Sequence, residues 1–463
     1  PDQTIGLPGA TASLAGAISD DGLPVGAAMT ATWSAVSGPA PVVFADPASA
    51  TTTASFSETG TYVLRLSASD GPLSATAQVH KLVGEIYVEQ LNKRGGLLGR
   101  PVEWIVKDDQ SKPDLARTLY EQLITADKVD LLMGPYATGA ILSAMGVAQR
   151  YNKVLVHHTL GIPALAKYEN SFPAWSLGTD PGNSVHNSVF DALAAGPKPP
   201  KTVAVVTSKF PPIQFMSAGA REAIKKRGLT EVLFLEWDFG NRDFGPIANR
   251  VKDAKPDFVW VGAIGLEGTM LLDAMKKIDY VPPQHFYLYP SPGPLVTLPE
   301  AKNALSVTIF EEQPPFINAP GAAEFVKLYR ERATAAKLPD PSVEVQAGAS
   351  YTAWQILAAG VAGAKSLDDK AIAAWLKTNT VDTLQGPLRF NGPGNYGEDL
   401  MRIKQVQNGH WTVVWPKAFT AGGAVLLGLY ITNKFRVKRA RAGWWRRARL
   451  SRLMDIGYPA AME

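Results

Sequence analysis

The sequence predicts a multidomain chain: a small all-β sandwich, then a two-lobed α/β body, then a single C-terminal helix, membrane-spanning or buried, with a basic tail. Three observations carry that prediction. Apolar runs of period two fill the first eighty residues, amphipathic helices alternate with short apolar runs from about residue 81, and the charge balance changes from segment to segment. Residues 1–80 hold one base against six acids and residues 417–463 hold ten bases against two, so the three regions carry −5, +1 and +8 in order. Boundaries are therefore expected at 1–79, 80–416 and 417–463. At 463 residues, 46% hydrophobic and 19% charged, the chain exceeds one ordinary core and is too apolar to be disordered. It has no Cys, which excludes disulfides, thiolate metal sites and Cys nucleophiles. The residues from Pro1 lack the basic start and apolar run of a secretion signal, so the compartment is not read from them.

Within the first segment, alternating runs at 28–33, 54–56 and 62–67 lie between turn signals and read as antiparallel strands. The strings SDDGLP from Ser19, TWSAVSG from Thr32 and GTYVLRLSASDG from Gly60 resemble the bacterial Ig-like repeats of the PKD type. Trp33 is expected as an interior residue of a sandwich strand. No chemistry is expected here.

In the middle segment, helices over 82–93, 113–127 and 138–151 alternate with strands over 102–107, 129–133 and 154–156. A second series has strands near 202–206, 232–236, 258–261 and 286–289, with helices near 213–227, 246–253 and 267–278. Such alternation requires parallel strands with crossover helices, and two consecutive sets make two lobes. The strings VEQLNKRGGLLGRP from Val88, VKDDQSKP from Val106, VDLLMGP from Val129, KPDFVWVG from Lys255, YTAW from Tyr351 and GPLRF from Gly386 resemble the branched-chain-amino-acid (Leu/Ile/Val) type of periplasmic solute-binding protein that serves ABC transporters. The resemblance implies the type I fold of that family: two flavodoxin-like lobes joined by three crossings that close on a ligand. Against the family pattern the domain is truncated at its N-terminal side, because the strand that should precede the first helix has no counterpart. Residues 73–79 could stand in for it, another chain could donate it, or the chain is a composite of unrelated pieces.

Open parallel sheets bind ligands beyond the carboxyl ends of their strands. Loop 134–139, with Thr138 opening a helix, offers a carboxylate a hydroxyl, free N–H groups and the positive end of a helix dipole; a plain N-cap is the compatible alternative. The resemblance implies that Thr138 and Ala137 meet a ligand carboxylate, and that Thr159, Leu160 and Gly161 form a second ligand loop. From the other lobe it implies Phe210 as an aromatic clamp, Ile264 and Glu267 at the next loop, and Ser291 where amino-acid binders hold an acid against the ligand's ammonium. Ser291 in that place argues against an ordinary α-amino acid unless Glu267 supplies the charge. His157 and His158 are neighbours on an extended chain and point to opposite faces, so no metal is expected; one of them lining the cleft and a structural role for both are the alternatives. Asp108 and Asp109 are expected at a strand end, capping the next helix. Phosphate-cradling and hydrolase motifs are absent, and neither a cofactor nor a catalytic residue is expected.

Residues 418–432 form an uncharged, mostly apolar run of fifteen. As a helix it would span about 22 Å against a hydrocarbon core of about 30 Å. A basic stretch bearing Trp444 and Trp445 follows. The pair reads as a membrane anchor with a cytoplasmic end, the competing reading being a short buried helix with a nucleic-acid-binding tail. The whole sequence reads as a non-enzymatic, periplasmic or envelope-tethered substrate-binding component of an ABC transporter, taking an amino-acid-like or carboxylate solute. Its expected partners are a permease or sensor and a membrane reached through residues 417–452, with nucleic acid not expected. The alternative is a structural or adhesive envelope protein whose α/β domain is degenerate and binds nothing.

Overall fold

The computed structural model describes residues 11–16, 30–69, 75–289, 295–296, 298–338 and 341–420, and divides into two compact units, residues 1–78 and 79–463. The first unit is all-β, with β1 (Thr11–Ala15), β2 (Thr30–Ser37), β3 (Val43–Phe44), β4 (Thr51–Ser55) and β5 (Val63–Ser69). These strands form an antiparallel sheet ordered β1-β4-β3 and a β2-β5 pair. Alternation places Ala12, Thr52 and Ala54 inside. Trp33 is half-buried, and its indole N–H donates to Ser49 O at 3.1 Å and Ala50 O at 3.3 Å, a structural use of the ring.

The second unit opens its first lobe with α1 (Ala75–Lys93), which starts seven residues before the expected 82, then α2 (Pro113–Thr125), β6 (Leu132–Met133), α3 (Thr138–Arg150), β7 (Leu155–His157) and β8 (Ser171–Pro173). The three strands form a parallel sheet ordered β6-β7-β8. On α1, Val79, Leu82, Val83, Ile86 and Tyr87 recur at helical spacing and are buried against Phe325, Tyr329 and Tyr351.

The chain then enters the second lobe with α4 (Pro181–Ala194), β9 (Thr202–Ser208), α5 (Pro211–Lys226), β10 (Thr230–Trp237), α6 (Gly245–Ala254), β11 (Phe258–Gly262), α7 (Glu267–Lys277), β12 (Gln284–Tyr287) and β13 (Leu305–Thr308). It returns to the first lobe with α8 (Ala322–Ala335), α9 (Val345–Ala364), α10 (Asp369–Thr378), β14 (Val381–Thr383) and β15 (Gly386–Leu388), then crosses back as β16 (Arg402–Gln407) and β17 (His410–Trp415). The seven-stranded sheet runs β10-β9-β11-β12-β13-β16-β17, its first five strands parallel and its last two antiparallel. Side chains alternate across it: Val203, Val205 and Trp260 pack on α4 and α5, while Ala204, Val206 and Val261 pack on α6 and α7. Three crossings join the lobes, as the resemblance implied. Glu311, on the second of them, bonds Lys404 of β16 at 2.7 Å, both nearly buried.

Residues 102–107 correct the sequence reading, because they are not a strand. Among the described residues the backbone groups of 103–108 have no hydrogen-bond partner, and Ile105 and Val106 are 40% and 49% exposed. Side chains hold the segment instead: Asn92 bonds both backbone groups of Val102, and Trp104 packs on Trp354. The second lobe supplies the reason. The order α1, 102–107, α2, β6, α3, β7 repeats α5, β10, α6, β11, α7, β12, and β10 pairs only with β9. Nothing described stands in the place of β9 in the first lobe, and an extended segment without a neighbour has no ladder to join.

Among the described residues no helix is long and apolar enough to cross a membrane. Residues 417–419 form a single short turn, and the rest of the expected tail, 421–463, lies outside the described residues.

Candidate functional site

In the second lobe the order β10-β9-β11 reverses direction at β9, and ligands of open parallel sheets collect beyond the strand ends at such a reversal. The loops leaving β9 and β11 carry Phe210 and Ile264, both half-buried. Phe210 is the N-cap of α5 and packs on Phe239 at 5.1 Å.

In the first lobe the loops leaving β6 and β7 are tied together. Thr159 Oγ1 accepts the Ala137 N–H at 3.0 Å, and Thr138 Oγ1 accepts the Gly161 N–H at 3.5 Å. Thr138 is not the N-cap that the sequence suggested. Ala137 is, at φ 69° and ψ 145°, which leaves Thr138 as the first helical residue with its hydroxyl aimed across to the second loop. Among the described residues the N–H groups of Thr138, Gly139 and Ala140 have no backbone acceptor, so the positive end of α3 is open. Leu160 departs from expectation: its side chain is wholly buried in the first-lobe core, and its carbonyl accepts the Tyr396 hydroxyl.

The lobes meet at these loops. A Cβ on Gly161 would stand 3.2 Å from Pro212 Cβ, two residues after Phe210. Beside the loops lies a run of rings, of which the sequence singled out only His158. His158 Nε2 lies 3.1 Å from His80 Nδ1, His80 lies 5.1 Å from the Tyr136 ring, and Tyr289 stands edge-on to Trp175 at 5.5 Å. Tyr136 is close enough to help raise the ionisation of Tyr289, and Tyr136 bonds Gln346. Burial pushes Tyr136 up to about 12, pulls His158 down to about 4 and holds His80 well below its ordinary value, the last aided by repulsion from His158. Four buried polar atoms here have no protein partner: His80 Nε2, His158 Nδ1, Trp175 Nε1 and Gln346 Oε1. Buried polar atoms are rarely left so, and a cluster of them between lobes is what a polar guest would satisfy.

Other expected residues divide. Glu267 is buried at the start of α7, with Oε1 accepting the Gly240 N–H at 3.0 Å and Oε2 without a partner. Ser291 lies outside the described residues. Asp108 and Asp109 accept the N–H groups of Gln110 and Ser111 at 2.8 Å, closing turns ahead of α2, whose N-cap is Lys112; they do not cap the helix. His157 is fully buried and tilted against Tyr396, away from His158. Among the described residues no group of His, Asp and Glu is arranged to hold a metal ion. A separate cavity lined by Trp175, Ser176, Arg389, Phe390 and Tyr396 contains none of the expected ligand residues. Sequence reasoning missed His80, Tyr136, Trp175, Tyr289 and Gln346. Tyr136 and Tyr289 carried a usable signal, each two residues before an expected ligand residue, Thr138 and Ser291.

The periplasmic binding protein family model matches residues 63–410, and a PKD domain family model matches residues 1–83. The chain is 22% identical over 337 residues to the leucine-, isoleucine-, valine-, threonine- and alanine-binding protein of Pseudomonas aeruginosa, covering 70% of this chain and 84% of that protein. It is 22% identical over 331 residues to the Leu/Ile/Val-binding protein of Escherichia coli, covering 71% and 86%. Its fold is shared with a solute-binding protein of an ABC transporter from R. palustris in complex with benzoate, at TM-score 0.60, 19% identity and coverage of 78% and 97%. It is shared equally with a leucine-binding protein of Thermotoga maritima, at TM-score 0.60, 18% identity and coverage of 74% and 94%. With two lobes, three crossings and a family match over most of its length, this chain belongs to the periplasmic binding protein family.

Proposed function

We propose that residues 80–416 form a solute receptor that captures a small organic carboxylate, amino-acid-like or plain, between the two lobes and hands it to an ABC permease on the outer side of a bacterial inner membrane. The observation that carries this reading is the paired loop system: the open end of α3 and the Thr138 and Thr159 hydroxyls join the loops where Gly161 meets Pro212, with the unpartnered His158 Nδ1 on the residue before Thr159. A helix N-terminus with free N–H groups favours an anion. The names of the relatives, which concern branched-chain amino acids, and of the benzoate-bound neighbour agree with that class. The loops from the second lobe would supply the apolar wall, with Phe210 and Ile264 against the body of the ligand. Titration with leucine and with benzoate, followed by Trp fluorescence, tests the reading. Saturable binding of either, weakened at least tenfold by Thr138→Ala, is expected; no saturable change with either would refute it.

One observation favours a second reading. Residues 102–107 stand without a strand neighbour, as a degenerate α/β domain in a structural or adhesive envelope protein would allow. The same titration separates the two. The apolar and basic composition of 418–452 supports an envelope tether; release of the whole chain from membranes by high salt alone would count against it.

A further inference from the structure

We infer that His80 and His158 form the anion-neutralising end of the cleft, one imidazole taking up a proton as the ligand enters, so that the preferred ligand is a monocarboxylate without an ammonium group. This rests on the solute-receptor reading and deepens it.

The two rings are 4.4 Å apart and edge-on, joined through His158 Nε2 and His80 Nδ1, which leaves His80 Nε2 and His158 Nδ1 buried and without partners. They come from different elements, the second turn of α1 and the end of β7, and they flank both ligand loops through Tyr136 and Thr159. The titratable and charged groups around them are Tyr136, against His80, and His157, beside His158; Glu344 acts on Tyr136, Tyr136 and Asp399 act on Tyr289, and the buried Arg402 stands by Asp399. Of these only Arg402 is a cation at neutral pH, and Asp399 opposes it; Glu344 is a further acid. A carboxylate entering beside the two rings meets dipoles, while the charge of Arg402 is already taken up by Asp399, and a buried anion without a partner is costly. The nearest groups able to acquire a charge are the paired imidazoles. Burial keeps both neutral in the free protein, His158 at about 4. A carboxylate within reach raises the affinity of either ring for a proton, so binding and protonation assist each other. An ammonium group on the ligand would repel that proton, which selects against zwitterions.

The sign follows from linkage. Between the free-state value and the raised value in the complex, the complex holds one more proton than the free protein, so affinity weakens about tenfold per pH unit as pH rises. Above the complex's value it levels off.

Calorimetry of the full chain with benzoate, and separately with leucine, in buffers of different ionisation enthalpy from pH 5 to 8 tests this. The expected result is uptake of about one proton with benzoate near pH 6, together with weaker binding of leucine. His158→Gln and His80→Gln should abolish the uptake and flatten the pH dependence. Should these variants unfold, the imidazole proton resonances of the unsubstituted chain give the same information, with one His shifting to its protonated position when benzoate is added at pH 6. Benzoate bound without proton uptake, or leucine preferred over benzoate, overturns the inference and leaves the receptor standing. Binding of neither at any pH overturns both.

Discussion

Ala137 holds φ 69° and ψ 145°, a region that side chains avoid, at the junction that aims Thr138 across the loops. The strain costs on the order of 1–3 kcal/mol and is held by the Thr159 hydroxyl on its N–H. Ala137→Gly should therefore raise the urea midpoint by the equivalent of about 1 kcal/mol, despite the chain entropy that Gly adds; a lower midpoint would show that the methyl group is supported by packing. Lys404 and Glu311 make a second residue-scale case, with side chains only 6% and 10% exposed. Lys404→Met strands a buried carboxylate and should cost about 3–5 kcal/mol in equilibrium unfolding, most of it recovered by adding Glu311→Leu. Thr138 was singled out in the sequence because a hydroxyl at a helix start after a strand suits a carboxylate or an N-cap, and in the fold it reaches across to Gly161 instead of capping. Ala137 was not, since nothing in an Ala announces a positive φ. His80 was hidden inside an ordinary amphipathic stripe, where only the fold brings His158 to meet it.

At the scale of elements, periodicity located most of what it described, and its failure at 102–107 is instructive. Alternation in VEWIVK states which face each residue would take, and it cannot state whether a neighbour exists. In the second lobe β10 has β9, and in the first lobe the matching place has no described occupant. The elements returning after β13 were legible only as the motifs near Tyr351 and Gly386. Buried on nearly every side, α9 shows no amphipathic stripe to find. The unpaired segment carries its own prediction. Ile105→Lys should change stability by less than about 0.5 kcal/mol, because the side chain is exposed and no ladder depends on it. It should also reduce aggregation on heating, read by light scattering, since an exposed apolar edge is a template for pairing. A loss of more than about 2 kcal/mol would mean that the segment is covered in solution.

For the whole second unit, acid stability gathers these local facts. His157, His158, His186 and His285 are buried and pulled by that burial to about 3, 4, 4 and 4, against an ordinary value of 6.5. Above pH 6.5 neither folded nor unfolded chain protonates them, and their contribution to stability is constant. Below it the unfolded chain takes up protons that the folded chain refuses, so stability falls as pH falls until each folded-state value is reached. Each imidazole contributes about 1.4 kcal/mol per pH unit in that window, and with His80, likewise held below its ordinary value, the five together approach about 7 kcal/mol per unit. Urea midpoints should thus be nearly level from pH 8 to 6.5 and fall steeply from 6 to 4.5. A level profile down to pH 4.5 would mean that these rings reach water or acquire partners in solution. Benzoate gives the profile a second use. If the complex protonates one ring of the His80 and His158 pair, the folded state regains a proton that it otherwise refuses. Saturating benzoate should then flatten the fall by about one fifth, whereas a ligand bound without a proton would raise the whole curve and leave its slope unchanged.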